Sequence, residues 1–216
     1  MPHASIRTLA LCAALASAAP AGLAQHRPSD ARAGAPRPTD EALRAELLQM
    51  LDADQALRER MVGATAEDQN FLREMQAFDA ANAERLARIF KAHGFPGVRM
   101  VGADGTKAVV TLLLHTPSLE LQKKALPHVE RAVRRGELPG EAFALLTDDV
   151  LAHEGKPQLY GTNFGIAQGK LVLSKTKDPA RLDARRRKVG LNPIREYAKL
   201  LSEMYKLPLD AASLPR

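Results

Sequence analysis

The chain has 216 residues and a net charge of +6 at pH 7, a length that is sufficient for one domain of ordinary size. Its single cysteine, Cys12, lies in a segment that we predict to be removed, so disulfides, thiol nucleophiles and thiolate metal sites are excluded from the remaining chain. No later segment has the roughly 20 apolar residues that a membrane span requires, and an integral membrane span is therefore not expected.

The first 24 residues have the pattern of a secretory signal peptide. Arg7 provides a positive start, residues 8–19 are uncharged and mostly apolar, and Gly22 and Ala24 place small residues before a cleavage at Gln25. An uncleaved membrane anchor is the alternative. We therefore predict export to the periplasm or the extracellular space, with a flexible tether over residues 25–38 that is rich in Pro, Gly and Ala.

The rest of the chain is predicted to form one mainly α domain over residues 39–207, followed by a C-terminal tail over residues 208–216. Apolar residues recur at helical spacing, and Gly, Pro and capping residues mark the ends of the segments. Helices are expected at 39–61, 66–93 (with Asp79 as a candidate break), 105–115, 118–135 (kinked or split at Pro127), 139–155, 179–188 and 193–206. A small β-hairpin is expected at 158–174, with strands on both sides of the turn AQGK. The predicted fold class is thus mainly α, with six or seven helices and one hairpin.

Histidine is the first candidate for acid–base chemistry. His93 and His153 are predicted in the last turn of a helix, where the helix dipole favours a positive imidazole. His115 ends the apolar run VVTLLL, so it is expected at the edge of the core as a candidate acid or base, with a hydrogen-bonded core histidine as the alternative. The sequence lacks HExxH, GxSxG and GxxxxGK[ST] motifs and any Cys/His cluster, and no metal or cofactor is predicted.

A second candidate is an arginine on an apolar helix face. Arg186 shares its face with Leu182 and Val189, so its side chain is predicted to point inwards and to require a partner. Asp183 lies three residues earlier and can reach it, and Asp148 is another candidate. The alternatives are a backbone carbonyl or the carboxylate or phosphate of a bound ligand.

Polar residues alternate at the start of the predicted hairpin. Gln158, Tyr160 and Thr162 would share one face of a regular strand, where an amide, a phenol and a hydroxyl form a hydrogen-bonding surface. This face either binds a ligand or belongs to an internal network that joins the hairpin to the helices.

Basic residues concentrate late in the chain. Residues 170–188 contain eight Lys and Arg residues against two Asp, which favours contact with an anionic envelope polymer, lipid head groups or an acidic partner. A solvated helix face is the alternative. Nucleic acid is not expected as a partner, because the chain is predicted to be exported and few aromatic residues lie between the charges.

Several segments, in order, carry a family resemblance: MLDADQALRERM, GFPGVRMVG, LLLHTPSLELQKKALP, GEAFALLTDDVL, GKPQLYGT and LDARRRKVGLNPIREY. Together they resemble a bacterial family of uncharacterised proteins, a domain of unknown function with a GxxQxYGT hallmark. The resemblance implies a single, mostly helical domain, with family positions at His115, Gln122, the Gln-x-Tyr-Gly-Thr run, and Asp183 with Arg186. An Asp-Arg pair of the family is Asp148-Asp149 here. The resemblance implies no activity or cofactor.

Three hypotheses for function follow. In the first, a polar groove binds a small polar or acidic ligand or an envelope component, through Gln122, Gln158, Tyr160, Thr162, Asp183 and Arg186, beside His115. In the second, the chain is a hydrolase with His115 as general base, Asp148 orienting it, and Tyr160 or Arg186 stabilising negative charge. In the third, these residues form a purely structural polar network.

Overall fold

The computed structural model describes residues 37–61 and 69–215. Within these ranges the chain forms seven α-helices and a two-stranded antiparallel sheet, so the predicted mainly α class is confirmed. The elements are α1 Glu41–Met61, α2 Gln69–His93, α3 Val98–His115, α4 Leu119–Arg134, α5 Gly140–His153, β1 Phe164–Ala167, β2 Lys170–Leu173, α6 Leu182–Lys188 and α7 Ile194–Tyr205, with 3₁₀ turns at Pro179–Arg181 and Ala211–Ser213. The predicted signal peptide and residues 25–36 of the predicted tether lie outside the described ranges. None of the described helices combines the length and apolar composition that a membrane crossing requires.

Capping residues explain where the helices begin. Asp40 accepts a hydrogen bond from the backbone N–H of Leu43 at 2.9 Å, and Ser118 caps α4 in the same way through Leu121. Pro139 directly precedes α5. These contacts satisfy backbone N–H groups that a helix leaves without partners in its first turn, which is why short polar residues and Pro predicted the starts well.

Two expected interruptions do not occur, and a short helical stretch precedes the predicted start of α3. The helix α2 runs unbroken through Asp79, and Pro127 lies inside α4 without splitting it. The element α3 spans Val98–His115 but consists of two helical stretches that meet at Gly102, where a φ of +74° and a ψ of 172° lie outside the helical region. Glycine adopts such a conformation at little cost. The helix predicted from residue 105 therefore corresponds to the second stretch, and residues 98–101 add a short helical stretch before the break.

The described residues form two apolar clusters. The helices α1 to α5 pack around α3, whose buried residues include Val109, Leu112 and Leu113. The second cluster joins the hairpin, α6 and α7, with Phe164 and Leu182 at its centre. The segment that connects α5 to the hairpin, residues 158–163, therefore lies between two hydrophobic cores.

The hairpin is shorter than predicted. The strands β1 and β2 pair in an antiparallel register with Phe164 opposite Leu173, and Gln168 and Gly169 both have positive φ in the turn, as in type I′ hairpins. Residues 158–163 do not continue β1, and only an isolated bridge links Gln158 to Thr176. The prediction that Gln158, Tyr160 and Thr162 alternate on one strand face is therefore wrong.

Candidate functional site

The segment 158–163, which we call the 158–163 loop, folds around the carboxylate of Asp148. The backbone N–H of Leu159 donates to Asp148 Oδ1 at 2.7 Å, and the N–H of Tyr160 donates at 3.0 Å. Thr162 donates twice to Oδ2, from its backbone N–H at 3.0 Å and from its hydroxyl at 2.9 Å. A buried carboxylate from α5 thus takes the place of a neighbouring strand as the hydrogen-bond partner of this segment.

Burial and these donors act on Asp148 in opposite directions. Withdrawal from water raises the pKa of its carboxyl above the ordinary value, while the N–H groups of Thr162, Tyr160 and Leu159 lower it in part. The side chain is fully buried, so the donors are needed to keep a charged or a neutral carboxyl satisfied.

The side-chain amide of Gln158 forms hydrogen bonds within the same loop and to the segment after β2. Its Nε2 donates to the carbonyl oxygens of Asn163 and Ser174, both at 2.9 Å, and its Oε1 accepts from the N–H of Asn163 at 2.8 Å. Only 2% of Gln158 is exposed. The amide is therefore fully used by protein groups and is not presented to a ligand.

Arg186 points inwards, as predicted, but its partners are backbone carbonyls. The guanidinium donates to Asn192 and to Tyr160, in each case to the carbonyl oxygen at 2.6 Å. Burial lowers the pKa of Arg186, and only 1% of the residue is exposed. The carbonyl alternative is thus the observed one, and the expected pairing with Asp183 or Asp148 is not formed.

Asp183 and Arg185 support the same region from α6. Asp183 accepts a hydrogen bond from the backbone N–H of Ile194 at 2.7 Å, at the start of α7. Arg185 donates to the carbonyl oxygen of Leu159 at 2.7 Å. Both side chains therefore hold the backbone around the 158–163 loop.

Tyr160 differs from Gln158 and Thr162 in the 158–163 loop, because the polar atom of its side chain forms no hydrogen bond to a described residue. It is half-buried, and its ring packs edge-on against Phe143 with centroids 6.1 Å apart. Burial, with the negative charge of Asp148, raises its pKa, and its hydroxyl makes no hydrogen bond to a described residue. The structural-network hypothesis therefore accounts for the polar atoms of Gln158, Thr162 and Arg186, while the Tyr160 hydroxyl stays outside this network.

His115 lies in a different network, at the end of α3. Its Nδ1 is 2.8 Å and 3.0 Å from the two carboxylate oxygens of Asp54, and Arg58 Nε is 2.9 Å from the same nitrogen. One nitrogen cannot both donate and accept along these directions. A lone pair on Nδ1 would face both oxygens of the fully buried Asp54 carboxylate and be repelled by them. We therefore place the proton on Nδ1 and direct Arg58 Nε–H to Asp54 Oδ1 at 3.3 Å. Asp54, not Asp148, orients the His115 ring.

Arg58 links this pair to a second carboxylate. Its Nη2 donates to Asp79 Oδ1 at 2.5 Å. Burial would raise the pKa of Asp54, but the hydrogen bond and charge of His115, together with Arg58, outweigh it and hold that pKa below the ordinary value. Burial raises the pKa of Asp79, against the opposing effect of Arg58. The carboxylate next to His115 is therefore the more firmly ionised of the two.

Gln122 and Asp149 complete the surroundings of His115. Gln122 is fully buried, and its Nε2 donates to the carbonyl of Leu113 at 3.0 Å and to Asp149 Oδ2 at 2.5 Å. Its Oε1 is buried and has no hydrogen-bond partner among the described residues. Burial raises the pKa of Asp149, while the charges of His153 and His115 and the hydrogen bond from Gln122 oppose that shift.

We call this second network the His115 cluster. It contains His115, Asp54, Arg58, Asp79, Gln122 and Asp149. The structure places Gln122 at the end of α3 that carries His115, through its bonds to the carbonyl oxygens of Leu113 and Thr116. Neither residue takes part in the hydrogen bonds that hold Gln158, Thr162, Asp183 and Arg186. Across residues 37–61 and 69–215, no three His, Cys, Asp or Glu side chains are grouped in a way that would hold a metal ion.

Asp54, Arg58 and Asp79 were not among the predicted site residues. The signal for Asp54 was present in the sequence, because it interrupts the apolar face of α1 that Leu47 and Leu57 continue. A carboxylate at such a position requires a buried partner. The sequence does not show which distant residue provides it.

No curated protein and no solved structure matches the chain. A family match covers residues 41–210, which include all seven described helices and the hairpin. The chain therefore belongs to DUF6624, a family of unknown function.

Proposed function

We propose that this domain binds a small polar ligand through the His115 cluster, and that the ligand donates hydrogen bonds. The observation that carries the proposal is the buried Oε1 of Gln122, which has no donor among the described residues. An unsatisfied buried acceptor costs about 1–3 kcal/mol. A ligand N–H or O–H at this oxygen would recover that cost, whereas a ligand without a donor would not.

The charges of the cluster favour the same class of ligand. Asp54 and Asp79 both pair with Arg58, and the buried Asp149, which accepts a hydrogen bond from Gln122, adds a third carboxylate to the cluster. Because like charges repel strongly where water is excluded, an anionic ligand is disfavoured here. Amines, guanidines and polyols fit better than the acidic ligand that an inward Arg186 suggested from the sequence, since Nε and Nη1 of Arg186 already donate to the carbonyl oxygens of Asn192 and Tyr160.

A hydrolase is the second candidate, and the contact between Asp54 and His115 favours it. With the proton on Nδ1, a neutral ring presents a lone pair at Nε2, which is the arrangement of a general base oriented by a carboxylate. Asp54 takes the orienting role that the sequence suggested for Asp148. Arg58 is the cation nearest to this pair, in place of Arg186.

A thermal-shift and calorimetric screen of the purified chain tests the binding proposal. The panel contains amines, guanidines, polyols, amino acids, carboxylates and sugar phosphates, and a ligand at 100 times its Kd stabilises the fold by about 2.7 kcal/mol. We expect stabilisation by donor-rich compounds, lost in His115→Ala and kept in His93→Ala, which changes an exposed histidine at the end of α2. Circular dichroism verifies that each variant is folded. Hits that are all anions, or hits that survive in the His115→Ala variant, would reject this site.

A test for turnover distinguishes a hydrolase from a binding domain. Ligands found in the screen are incubated with the protein and followed for bond cleavage by mass spectrometry, at several pH values. Cleavage that is lost in Asp54→Asn while binding persists would favour catalysis. Binding without cleavage across the whole panel would leave the chain as a binding domain.

Export is a separate proposal, supported by the charged, apolar and small-residue order of residues 1–24. It places the ligand among envelope or extracellular compounds. N-terminal sequencing of the protein recovered from fractionated cells should find Gln25 first. Retention of Met1 in a cytoplasmic fraction would contradict export.

A further inference from the structure

A separate depression of about 650 Å³ opens between the start of α3 and the second half of α4. The side of α3 contributes residues 97–100, and the side of α4 contributes His128, Arg131 and Arg135. Phe95 and Thr39 complete its margins, and no residue of the His115 cluster lines it. Its volume is in the range of about 300–1,000 Å³ that is typical of sites for small molecules.

The charge of this depression is positive and only partly neutralised. Arg135 is paired with Glu137 through two hydrogen bonds of 2.8 Å, and Glu137 is the one carboxylate among the described residues that line the depression. Arg99 and Arg131 form no ion pair with a described residue. Some other exposed arginines of the same domain do, including Arg60 with Glu74 and Arg134 with Glu130. Two guanidinium groups are therefore available to a ligand in one concave surface.

One wall of the depression is flat and aromatic. The rings of Phe95 and His128 are stacked, with centroids 5.2 Å apart and planes at 21°. The pKa of His128 is lowered mainly because its ring is withdrawn from water, and the nearby positive charge of Arg131 lowers it further. At neutral pH this side chain is therefore uncharged, and it offers a flat surface rather than a third cation.

We propose that this depression binds a small organic anion in which a carboxylate or a phosphate ester is attached to a flat apolar group. The anionic group would lie between Arg99 and Arg131, because guanidinium groups bind carboxylate and phosphate oxygens in a bidentate manner. The flat group would pack against Phe95 and His128. This site is independent of the His115 cluster, which is acidic and disfavours anions.

Isothermal titration of the full chain with three probes tests the proposal. Phenyl phosphate carries both required groups, inorganic phosphate carries only the charge, and benzyl alcohol carries only the ring. We expect phenyl phosphate to bind most tightly, inorganic phosphate more weakly, and benzyl alcohol not measurably. Loss of one charged hydrogen-bond partner should weaken phenyl phosphate binding at least about tenfold in Arg99→Gln and in Arg131→Gln.

Arg134→Gln provides the matched control. Arg134 is exposed on the same helix and pairs with Glu130, but it does not line the depression. The Arg134→Gln variant should bind phenyl phosphate as the wild type does, and so should the His115→Ala variant. A negative result at the depression therefore leaves the proposal for the His115 cluster unaffected. Equal weakening in Arg134→Gln, or no saturable binding of phenyl phosphate to the wild type, would overturn the inference. Equal affinity for inorganic and phenyl phosphate would contradict the proposed contact between the flat group of the ligand and the rings of Phe95 and His128.

Discussion

Replacing Asp148 by Ala should uncouple the 158–163 loop from α5. The substitution leaves the N–H and the hydroxyl of Thr162 without their acceptor, in a residue that is 3% exposed. Each orphaned buried donor costs about 1–3 kcal/mol, while the N–H groups of Leu159 and Tyr160 can recover part of their loss from water. Removing the buried charge offsets some of this cost. We expect the free energy of unfolding to fall by about 3–5 kcal/mol, a large part of the 5–15 kcal/mol of a typical domain.

Urea unfolding followed by far-ultraviolet circular dichroism measures this loss, since the chain has no Trp. Asp52→Ala changes an exposed aspartate of α1 and should stay within about 0.5 kcal/mol of the wild type. Hydrogen exchange gives the local readout, because the amides of Leu159, Tyr160 and Thr162 should be protected in the wild type and lose protection in the Asp148 variant. A change of less than about 1 kcal/mol, with these amides still protected, would refute the role assigned to Asp148.

Three further predictions concern stability. In Gly140→Ala the new Cβ would lie 2.0 Å from the carbonyl oxygen of Val189, so urea unfolding should show a loss of about 1–3 kcal/mol. In Arg186→Lys the fork of donors to Tyr160 and Asn192 is lost, and we expect a loss of about 3 kcal/mol in the same assay. In Asp149→Asn a carboxyl whose folded pKa is raised by burial is replaced by a neutral amide, so the melting temperature should exceed that of the wild type at pH 7. The wild type recovers stability as the pH falls through that raised pKa, because the folded form binds the proton more tightly than the unfolded chain, and the difference should shrink in acid.

Each of these predictions has its own control. Gly97→Ala meets no atom within 4 Å and should cost less than about 1 kcal/mol, the range of a changed helix cap. Arg187→Lys changes an exposed neighbour of Arg186 and should be nearly neutral. A constant gap between Asp149→Asn and the wild type from pH 4 to pH 8 would contradict the assigned pKa direction. A Gly140→Ala protein as stable as the wild type would show that α5 and α6 can separate without cost.

The helical part of the fold could be predicted because its signals are local. Asp40, Ser118 and Pro139 mark helix starts through contacts within four residues along the chain, and the apolar spacing follows the helix period. The turn of the hairpin was predictable for the same reason, since Gly169 readily adopts positive φ in a short loop. The helical stretch at residues 98–101 was missed because it is too short to show a helical apolar period, and Gly102 interrupts the helix directly after it.

The candidate site could be predicted only as a set of residue types. The 158–163 loop alternates polar residues as an amphipathic strand does. In the structure, however, its backbone N–H groups donate to the side chain of Asp148 rather than to a neighbouring strand, and the alternation does not indicate that partner. His115 was identified from its place after an apolar run, whereas its partner Asp54 is 61 residues away along the chain. Pairing between distant side chains depends on how the helices pack, which local pattern does not specify.

The neighbouring carboxylates Asp148 and Asp149 give α5 two attachments that point to different parts of the molecule. Successive side chains on a helix diverge by about 100°, so one carboxylate faces the 158–163 loop while the next faces Gln122. Together they fix the rotation of α5 about its own axis. A rotation that shortens the hydrogen bonds of one carboxylate would lengthen those of the other. Thermodynamic coupling between the two networks follows: in a double-mutant cycle, substitutions of Gln122 and Thr162 should be non-additive, although these two residues share no hydrogen bond among the described contacts.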